Sequence, residues 1–333
     1  MQPLVTVLMP VYNADVFLRE AIESILQQTF SQFEFLIIDD GSSDNSVSII
    51  QSYNDPRIRF IQNEKNSGIS ATLNKGIALA SCELIARMDA DDISYPERLQ
   101  KQWEYFQKNK DVVLLSTWAR EVSETGEAIR TEKWRRPFFY YNLTFECWIY
   151  HPTVMYKRSA VLAVGAYSTP YSEDYDLWWQ ISRKYKIDHL PEVLLDYRLT
   201  TESLYRATKK QEYEDAQYKQ IVRNLHYYTG PTFSITHAEV ECYRHNFVPL
   251  LAQKKVRAFV QAVRKLDAIN QCILQKENPN RDAAAITEAA FEKNGFIIRT
   301  LTFHLPKRKK FLFLLQLRQW RHLYRALRKS MGF

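Results

Sequence analysis

The sequence lacks the features that mark several common classes of protein. None of its four cysteines lies in a C-x-x-C pair, which argues against a zinc or redox centre. The N-terminus has no basic segment and Pro10 interrupts its apolar run, so it does not have the form of a signal peptide. No run reaches the roughly 18 apolar residues of a membrane-spanning helix. These absences predict a cytoplasmic protein with reduced thiols.

The C-terminal part lacks acidic residues. After Glu292 the chain has eleven cations and no Asp or Glu, so with an overall charge of +7 the rest carries −4. In residues 307–329, aromatic and aliphatic side chains recur at helical spacing with cations beside them. Such a helix can lie on an anionic membrane surface or pack on the protein with its basic face in solvent. The segment Lys307–Lys329 is therefore a candidate peripheral membrane contact, and the second alternative stays open.

Neither common phosphate-binding glycine motif, G-x-G-x-x-G or G-x-x-x-x-G-K-[ST], is present. Instead, the first part of the chain alternates short apolar runs with helical patterns, as parallel α/β units do. Strands are predicted at 5–9, 35–38, 58–61, 84–88, 112–116, 153–156 and 193–198. Helices are predicted at 17–26, 44–53, 69–80, 96–106 and 174–184. Helical patterns dominate beyond about 205, which predicts an α/β domain over residues 1–205 and a mainly helical region over 206–333.

Polar residues follow three of the predicted strands. They are Pro10–Asn13, Asp39–Ser42 and Asp89–Asp92. Ligands of open α/β sheets bind at the carboxyl ends of strands, so these residues predict one cleft. A D-x-D pair such as Asp89 and Asp91 can present oxygens to Mg²⁺ or Mn²⁺, and the cation can neutralise a leaving diphosphate. A solvated acidic turn is the alternative.

A second acidic cluster opens a predicted helix at Glu173, Asp174 and Asp176. Acidic residues in a first helical turn are favoured by the helix dipole, so a plain N-terminal cap explains them. The functional alternative is a general base, which would remove the proton from an attacking hydroxyl.

Taken together, the motifs resemble those of the family 2 glycosyltransferases of the GT-A fold, over about residues 4–200. The matching pieces are P-V-Y-N at Pro10–Asn13, D-D-G-S-S-D at Asp39–Asp44, N-x-G at Asn66–Gly68, Asn74 with Gly76, R-M-D-A-D-D at Arg87–Asp92, P-E-R-L at Pro96–Leu99, H-P-T-V-M at His151–Met155, E-D-Y-D-L-W at Glu173–Trp178 and Y-R at Tyr197–Arg198. The resemblance implies a Rossmann-like α/β fold with a mixed, mostly parallel sheet between helices, followed by a helical C-terminal extension.

The resemblance also implies roles for individual residues. Pro10, Tyr12 and Asp40 would line the nucleotide base pocket beside Asp39, and Asp89 would contact the ribose. Asp91 would hold Mn²⁺ or Mg²⁺ on the diphosphate, and Asp174 would be the catalytic base. Further donor-binding candidates are Asn13, Asn66, Gly68, Asn74 and Arg87. Glu173, His151 and Arg198 complete the candidate site, although His151 also fits a core histidine.

The implied activity is inverting, metal-dependent transfer from a nucleotide-sugar, with UDP-sugar favoured over GDP or dTDP sugars. The acceptor would be a hydroxyl of a saccharide or lipid-linked glycan at the inner face of the membrane. Many relatives have a histidine shortly after Y-R, where this chain has Leu199-Thr200-Thr201. A non-catalytic scaffold or membrane-docking protein on the same fold is the alternative. No nucleic-acid module is recognised, so no nucleic-acid partner is expected.

Overall fold

The computed structural model describes residues 2–133, 138–200 and 209–318. The described residues divide into two compact units. The first takes its residues from 1–139, 147–217 and 278–280, and the second from 140–146, 218–277 and 281–333. The boundary predicted between residues 205 and 206 falls outside the described residues, so it stays a prediction.

The first unit is built on one sheet. Its strands are β1 (Val5–Val11), β2 (Phe33–Asp39), β3 (Ile58–Gln62), β4 (Leu84–Arg87), β5 (Ile93–Ser94), β6 (Val112–Val122), β7 (Ala128–Glu132), β8 (Met155–Lys157) and β9 (Lys186–Arg198). They run in the order β3-β2-β1-β4-β8-β6-β9-β5, and β7 pairs with β6. Strands β1 to β4 pair in parallel, and β8 is antiparallel to both of its neighbours. The carboxyl ends of β1, β2 and β4 therefore lie at one edge.

Thirteen helices are present in the described residues. They are α1 (Leu18–Leu26), α2 (Ser46–Gln51), α3 (Ile69–Leu79), α4 (Arg98–Lys108), α5 (Phe139–Asn142), α6 (Arg158–Ala163), α7 (Glu173–Ser182), α8 (Lys210–Thr229), α9 (His237–Tyr243), α10 (Val248–Leu251), α11 (Val256–Gln275), α12 (Ala283–Phe303) and α13 (Lys307–Gln316). A 3-10 turn spans His151–Thr153.

The core of the first unit forms where helices cover the parallel strands. Every residue of β1 is buried, as expected for a parallel strand that is covered on both faces. Helix α1 buries Leu18, Ile22 and Ile25 against the sheet, which is the stripe set by a period of 3.6 residues. Helix α3 approaches β1 so closely that a Cβ at Gly76 would lie 2.3 Å from Leu8 Cδ1.

The predicted fold class is confirmed, while several element boundaries were wrong. Strand β9 begins at Lys186 rather than 193, because the buried polar residues Asp188 and His189 lie within it. Tyr105 donates to the Asp188 carboxylate, and Ser116 bonds His189 Nδ1 at 2.8 Å. These tertiary partners let polar residues occupy a buried strand, where hydropathy alone predicts a loop.

Helices make up the second unit. Helix α11 buries a stripe that includes Phe259, Val263 and Leu266, and Phe259 meets Phe313 of α13 edge to face with ring centroids 6.3 Å apart. Helix α12 begins at a cap in which the Asp282 carboxylate accepts a hydrogen bond from the Ala285 amide. None of the helices in the described ranges combines the length and apolar character needed to cross a bilayer.

Candidate active site

The loop after β2 is held by two aspartates. Asp39 is fully buried, and its Oδ2 accepts hydrogen bonds from the amides of Gly41 and Ser42, both at 3.1 Å. Gly41 has φ +77°, and a Cβ there would lie 2.8 Å from the carbonyl carbon of Lys65. Only glycine fits this close approach of two loops.

Asp40 uses both carboxylate oxygens to organise the segment before α3. They accept hydrogen bonds from Asn63 Nδ2, the Ser67 amide and hydroxyl, and the Gly68 amide, at 2.7–3.1 Å. Burial opposes ionisation of Asp40, but the bonds from Asn63 and Ser67 outweigh it and lower the pKa. Gly68, with φ +87°, precedes the first residue of α3, and its amide also donates a hydrogen bond to Asn66 Oδ1 at 3.0 Å.

The end of β1 faces the loop after β2. Pro10 is buried, whereas Tyr12 and Asn13 are exposed. Asn13 has φ +49°. Its amide donates to Ser42 Oγ at 2.9 Å, and its Oδ1 accepts a hydrogen bond from the Ser43 amide at 2.8 Å. The structure therefore brings the predicted residues of these two strand ends together, and it leaves the Tyr12 ring open to a ligand.

Strand β4 ends at a buried arginine that supports the D-x-D segment. Arg87 is 1% exposed and donates to Asp89 Oδ1 at 2.5 Å and to the Met88 carbonyl. The Asp89 side chain remains partly exposed. Arg87 thus lies behind Asp89 and fixes its orientation, and its assignment to donor binding stays a prediction.

Asp91 and Asp92 both have raised pKa values. Burial first, and then the charge of Asp89, raise the pKa of Asp91 to about 7. Asp92 is 1% exposed; its Oδ1 accepts from the Arg198 amide at 2.8 Å, and its Oδ2 has no hydrogen-bond partner in the described part of the chain. Burial raises the pKa of Asp92 well above its usual range.

Arg198, at the end of β9, anchors the D-x-D segment. Its guanidinium donates to the carbonyls of Asp91 and Glu124 and to Glu20 Oε2, at 2.6–2.8 Å, and lies 4.5 Å from the centroid of the Phe17 ring. All three donor nitrogens are therefore used by the protein. Arg198 thus supports the turn with three of its five guanidinium N–H donors, and its assignment to diphosphate binding stays a prediction.

Helix α3 holds the segment that leads to Asp174. Asn74 donates from Nδ2 to the Tyr167 carbonyl at 2.8 Å and accepts from the Tyr167 amide at 3.0 Å, and Ser70 donates to the Thr169 carbonyl at 2.7 Å. Both ends of the Asn74 amide group are occupied, so Asn74 positions residues 167–169. Ser172, at φ +52°, immediately precedes α7.

The first turn of α7 holds two acidic residues with raised pKa values. Burial raises the pKa of Asp174 to about 6, and the charge of Asp89 adds to the effect. Asp174 Oδ1 accepts from the Tyr175 amide at 2.7 Å. Burial, followed by the charge of Asp174, raises the pKa of Glu173 to about 8, so Glu173 is mostly neutral at pH 7 while Asp174 is mostly ionised.

His151 lies beside this turn. Its Nε2 bonds the Tyr167 hydroxyl at 2.7 Å, and its Nδ1 is 3.8 Å from Glu173 Oε1. Trp178 contacts the imidazole edge to face at 5.6 Å between centroids. Burial, helped by the charge of Arg87, lowers the pKa of His151 well below its usual range, so the ring is neutral at pH 7.

The acidic residues of β4 and α7 share one electrostatic environment, since the charge of Asp89 acts on both Asp91 and Asp174. Carboxylate oxygens suit a hard divalent cation. Burial first, and then the charge of Asp89, raise the pKa of Asp91, and a cation beside Asp91 would oppose both effects. No group of three or more His, Cys, Asp or Glu side chains is assembled for a metal within the described ranges.

Several supporting residues were not predicted. Arg98 is fully buried in α4 and donates to the carbonyls of Arg87 and Val154 at 2.8 and 3.3 Å. Burial lowers its pKa to about 9. Arg98 lies in the P-E-R-L piece, which marked it in the sequence without indicating a role. Ser67 occupies the unspecified position of the N-x-G piece, and nothing in the sequence pattern marked Asn63.

Comparison with known proteins identifies the family of the chain. A family model described as "Glycosyl transferase family 2" matches residues 6–163. An uncharacterized glycosyltransferase of Methanocaldococcus jannaschii is 37% identical over 226 residues, which cover 63% of this chain and 76% of the relative. The O-antigen biosynthesis glycosyltransferase WbnJ of Escherichia coli is 34% identical over 227 residues, 65% of this chain and 87% of the relative.

Solved structures are similar in fold. Staphylococcus aureus TarS 1-349, crystallised with UDP-GlcNAc, has a TM-score of 0.57 at 15% identity, with 89% of this chain and 90% of that chain covered. The mannosyltransferase PcManGT of Pyrobaculum calidifontis, in complex with GDP-Man and Mn²⁺, has a TM-score of 0.52 at 16% identity, with coverage of 100% and 88%. Both likenesses identify the GT-A architecture.

Proposed function

The chain belongs to glycosyltransferase family 2, and from this premise we propose an inverting, metal-dependent transferase that uses a UDP-sugar. The family membership carries the coarser activity, transfer of a sugar from a nucleotide-sugar donor. The observation that supports the finer mechanism is that the charge of Asp89 helps to raise the pKa of Asp174, as expected if the candidate base and the D-x-D segment lie near each other.

Asp174 is the proposed general base. With a pKa of about 6 it is ionised at pH 7, yet basic enough to accept a proton as the acceptor oxygen attacks. The acceptor oxygen forms a bond to the anomeric carbon, the bond from that carbon to the diphosphate breaks, and the electron pair leaves with the nucleoside diphosphate. One displacement inverts the anomeric centre, so no carboxylate nucleophile is needed.

Asp91, with Asp89 beside it, is the proposed holder of Mn²⁺ or Mg²⁺. A divalent cation there supplies positive charge to the departing diphosphate. Arg87 keeps Asp89 in place through the bond at 2.5 Å, and Arg198 holds the Asp91 carbonyl. Tyr12, Asn13 and the Asp39–Asp40 loop are proposed to receive the nucleoside, with the exposed Tyr12 ring available to stack on the base.

The proposed acceptor is a saccharide or lipid-linked glycan in surface polysaccharide synthesis. This proposal draws on a relative named UDP-Gal:alpha-D-GlcNAc-diphosphoundecaprenol beta-1,3-galactosyltransferase of E. coli, which is 31% identical over 223 residues. It also draws on WbnJ, which is named for O-antigen biosynthesis. The corresponding location is the cytoplasmic face of the cell membrane, with peripheral contact through Lys307–Lys329; residues 319–329 of that segment lie outside the described residues.

Calorimetric titration with UDP, GDP and dTDP, each with and without Mn²⁺, tests the proposal. We expect UDP to bind, and its affinity to rise when Mn²⁺ is present. The matched control is Asp111→Asn, which alters an exposed carboxylate paired with Lys186. A folded protein that binds none of the three nucleotides in a metal-dependent way would refute the metal-assisted mechanism.

A further inference from the structure

Two segments of the second unit concentrate positive charge without any acidic residue. Residues 254–265 and 307–318 together contain ten cations and no Asp or Glu. Of the ten, Lys265 forms an ion pair, with Glu239 at 2.8 Å; the other nine have no ion pair within the described part of the chain. Side chains of this kind repel one another unless an anion compensates them.

The two segments lie side by side and run in the same direction. Lys309 Nζ donates to the Lys254 carbonyl at 3.2 Å near their starts, and Arg264 donates to the Gln316 carbonyl at 3.0 Å near their ends. Phe259 and Phe313 pack between these two contacts. Helices α11 and α13 therefore lie alongside each other, and Arg257, Arg264 and Lys265 of α11 line a surface that also includes Gln316 of α13.

A groove with a volume of about 760 Å³ opens on this surface. Arg257, Gln261, Arg264 and Ala268 line it at steps of four, three and four residues, which is one face of α11, and Gln316 of α13 closes the other side. The groove is large enough for a phosphate group, and Arg257 and Arg264 offer guanidinium donors that suit phosphate oxygens.

Apolar side chains are exposed on α13 next to these cations. Phe311, Leu312 and Leu315 have exposed fractions of 41%, 43% and 39%, although Phe313 and Leu314 of the same helix are buried. Leu312 shares a helix face with Gln316, which lines the groove. An exposed apolar cluster next to cations suits a lipid surface better than a soluble phosphate or the backbone of a nucleic acid, neither of which buries aliphatic side chains.

We propose that this basic face docks on an anionic membrane, with lipid phosphates in the groove between α11 and α13 and with Phe311 and Leu315 among the headgroups. The inference extends the proposed contact through Lys307–Lys329 to α11, and it rests on that contact. Residues 319–333, outside the described residues, add four more cations and no acidic side chain, so their side chains do not neutralise the groove.

Co-sedimentation of the full chain with phosphatidylglycerol-containing vesicles, compared with pure phosphatidylcholine vesicles, tests the inference without donor or metal. Wild type should bind the anionic vesicles in a salt-sensitive way. Arg257→Gln with Arg264→Gln should weaken that binding about 25-fold, since each cation near an anionic surface contributes about fivefold. The matched control, Lys219→Gln with Lys276→Gln, removes the same charge from α8 and the end of α11.

Equal losses in the two double variants, or no loss in the groove variant, would overturn the inference. Two other results would overturn it if the wild-type protein bound no vesicles. One is binding of inorganic phosphate that the groove variant loses, and the other is binding of a nucleic-acid duplex that the groove variant loses. Phe311→Ser with Leu315→Ser provides a second test if the arginine variant does not fold, and it should weaken the binding that remains at high salt. Donor hydrolysis measured without vesicles separates a failure of docking from a failure of the transferase proposal.

Discussion

The two acidic strand ends of the first unit are opposite in character. After β2, Asp40 accepts hydrogen bonds from three residues, and its pKa is lowered. After β4, Asp91 is partly buried near the carboxylate of Asp89, and its pKa is raised to about 7. A carboxylate that the protein satisfies builds structure, whereas one that it leaves uncompensated is available to a ligand. The same residue type thus has two roles, set by its partners.

Asp174 belongs with Asp91 in this comparison, and its replacement should have the largest effect. We expect Asp174→Asn to reduce kcat by about 10²–10⁴-fold, because the attacking hydroxyl loses its proton acceptor. Donor affinity should change little, since the side chain is assigned to the acceptor. Steady-state kinetics and nucleotide titration measure the two quantities. A variant that retains wild-type turnover would remove Asp174 from the mechanism.

Asp91→Asn should weaken Mn²⁺-dependent binding of UDP by at least about tenfold, because the cation loses a charged ligand. Binding without Mn²⁺ should be unchanged. Without nucleotide or metal, the variant should be as stable as wild type or more stable at pH 8, because a carboxylate with a raised pKa lowers stability when it is ionised. That loss of stability is complete above about pH 7 and absent below pH 3.8. A large loss of apo stability would contradict the comparison.

Asp40→Ala should instead reduce stability. It should lower the free energy of unfolding by about 1–3 kcal/mol, because it leaves the Ser67 amide without its acceptor and removes one of the two acceptors of the Gly68 amide. The Asp40 contribution should be present above its unfolded pKa of 3.8 and be lost as pH falls through the lower folded value. Urea unfolding across pH measures it. Asp40→Asn, which keeps one acceptor oxygen, should be milder.

The smallest predicted effect is the pH dependence of kcat/KM, which tests whether Asp174 is the base. As pH rises through about 6, kcat/KM should increase, approaching tenfold per unit on the acidic side, because Asp174 must lose its proton to act as a base. The residual activity of Asp174→Asn should lack this limb. A wild-type profile that stays flat from pH 5 to 7 would assign the proton transfer to another group.

The sequence was sufficient for seven of the nine strands and for the polar strand ends, because apolar periodicity and acidic turns are local patterns. It missed the short strand β5, the strand β7 and the short helices α5 and α6. It could not distinguish Asp40 from Asp91, since that difference lies in partners distant in the chain: Asn63 and Ser67 for one, Asp89 for the other. Arg87 and Arg198 were also out of reach as supports, because their carbonyl and carboxylate partners are set by tertiary packing.

The contacts of α3 have a consequence for protein engineering. Ser70 and Asn74 bind only backbone atoms of residues about ninety positions later, and the same helix begins where Asp40 fixes Gly68. Helix α3 and residues 167–169 are therefore held together as one structural unit. A chimera that exchanges the segment before α7 to change the acceptor would therefore also need the α3 of the donor protein. Without that helix, the imported loop would lose the hydrogen bonds that hold its backbone.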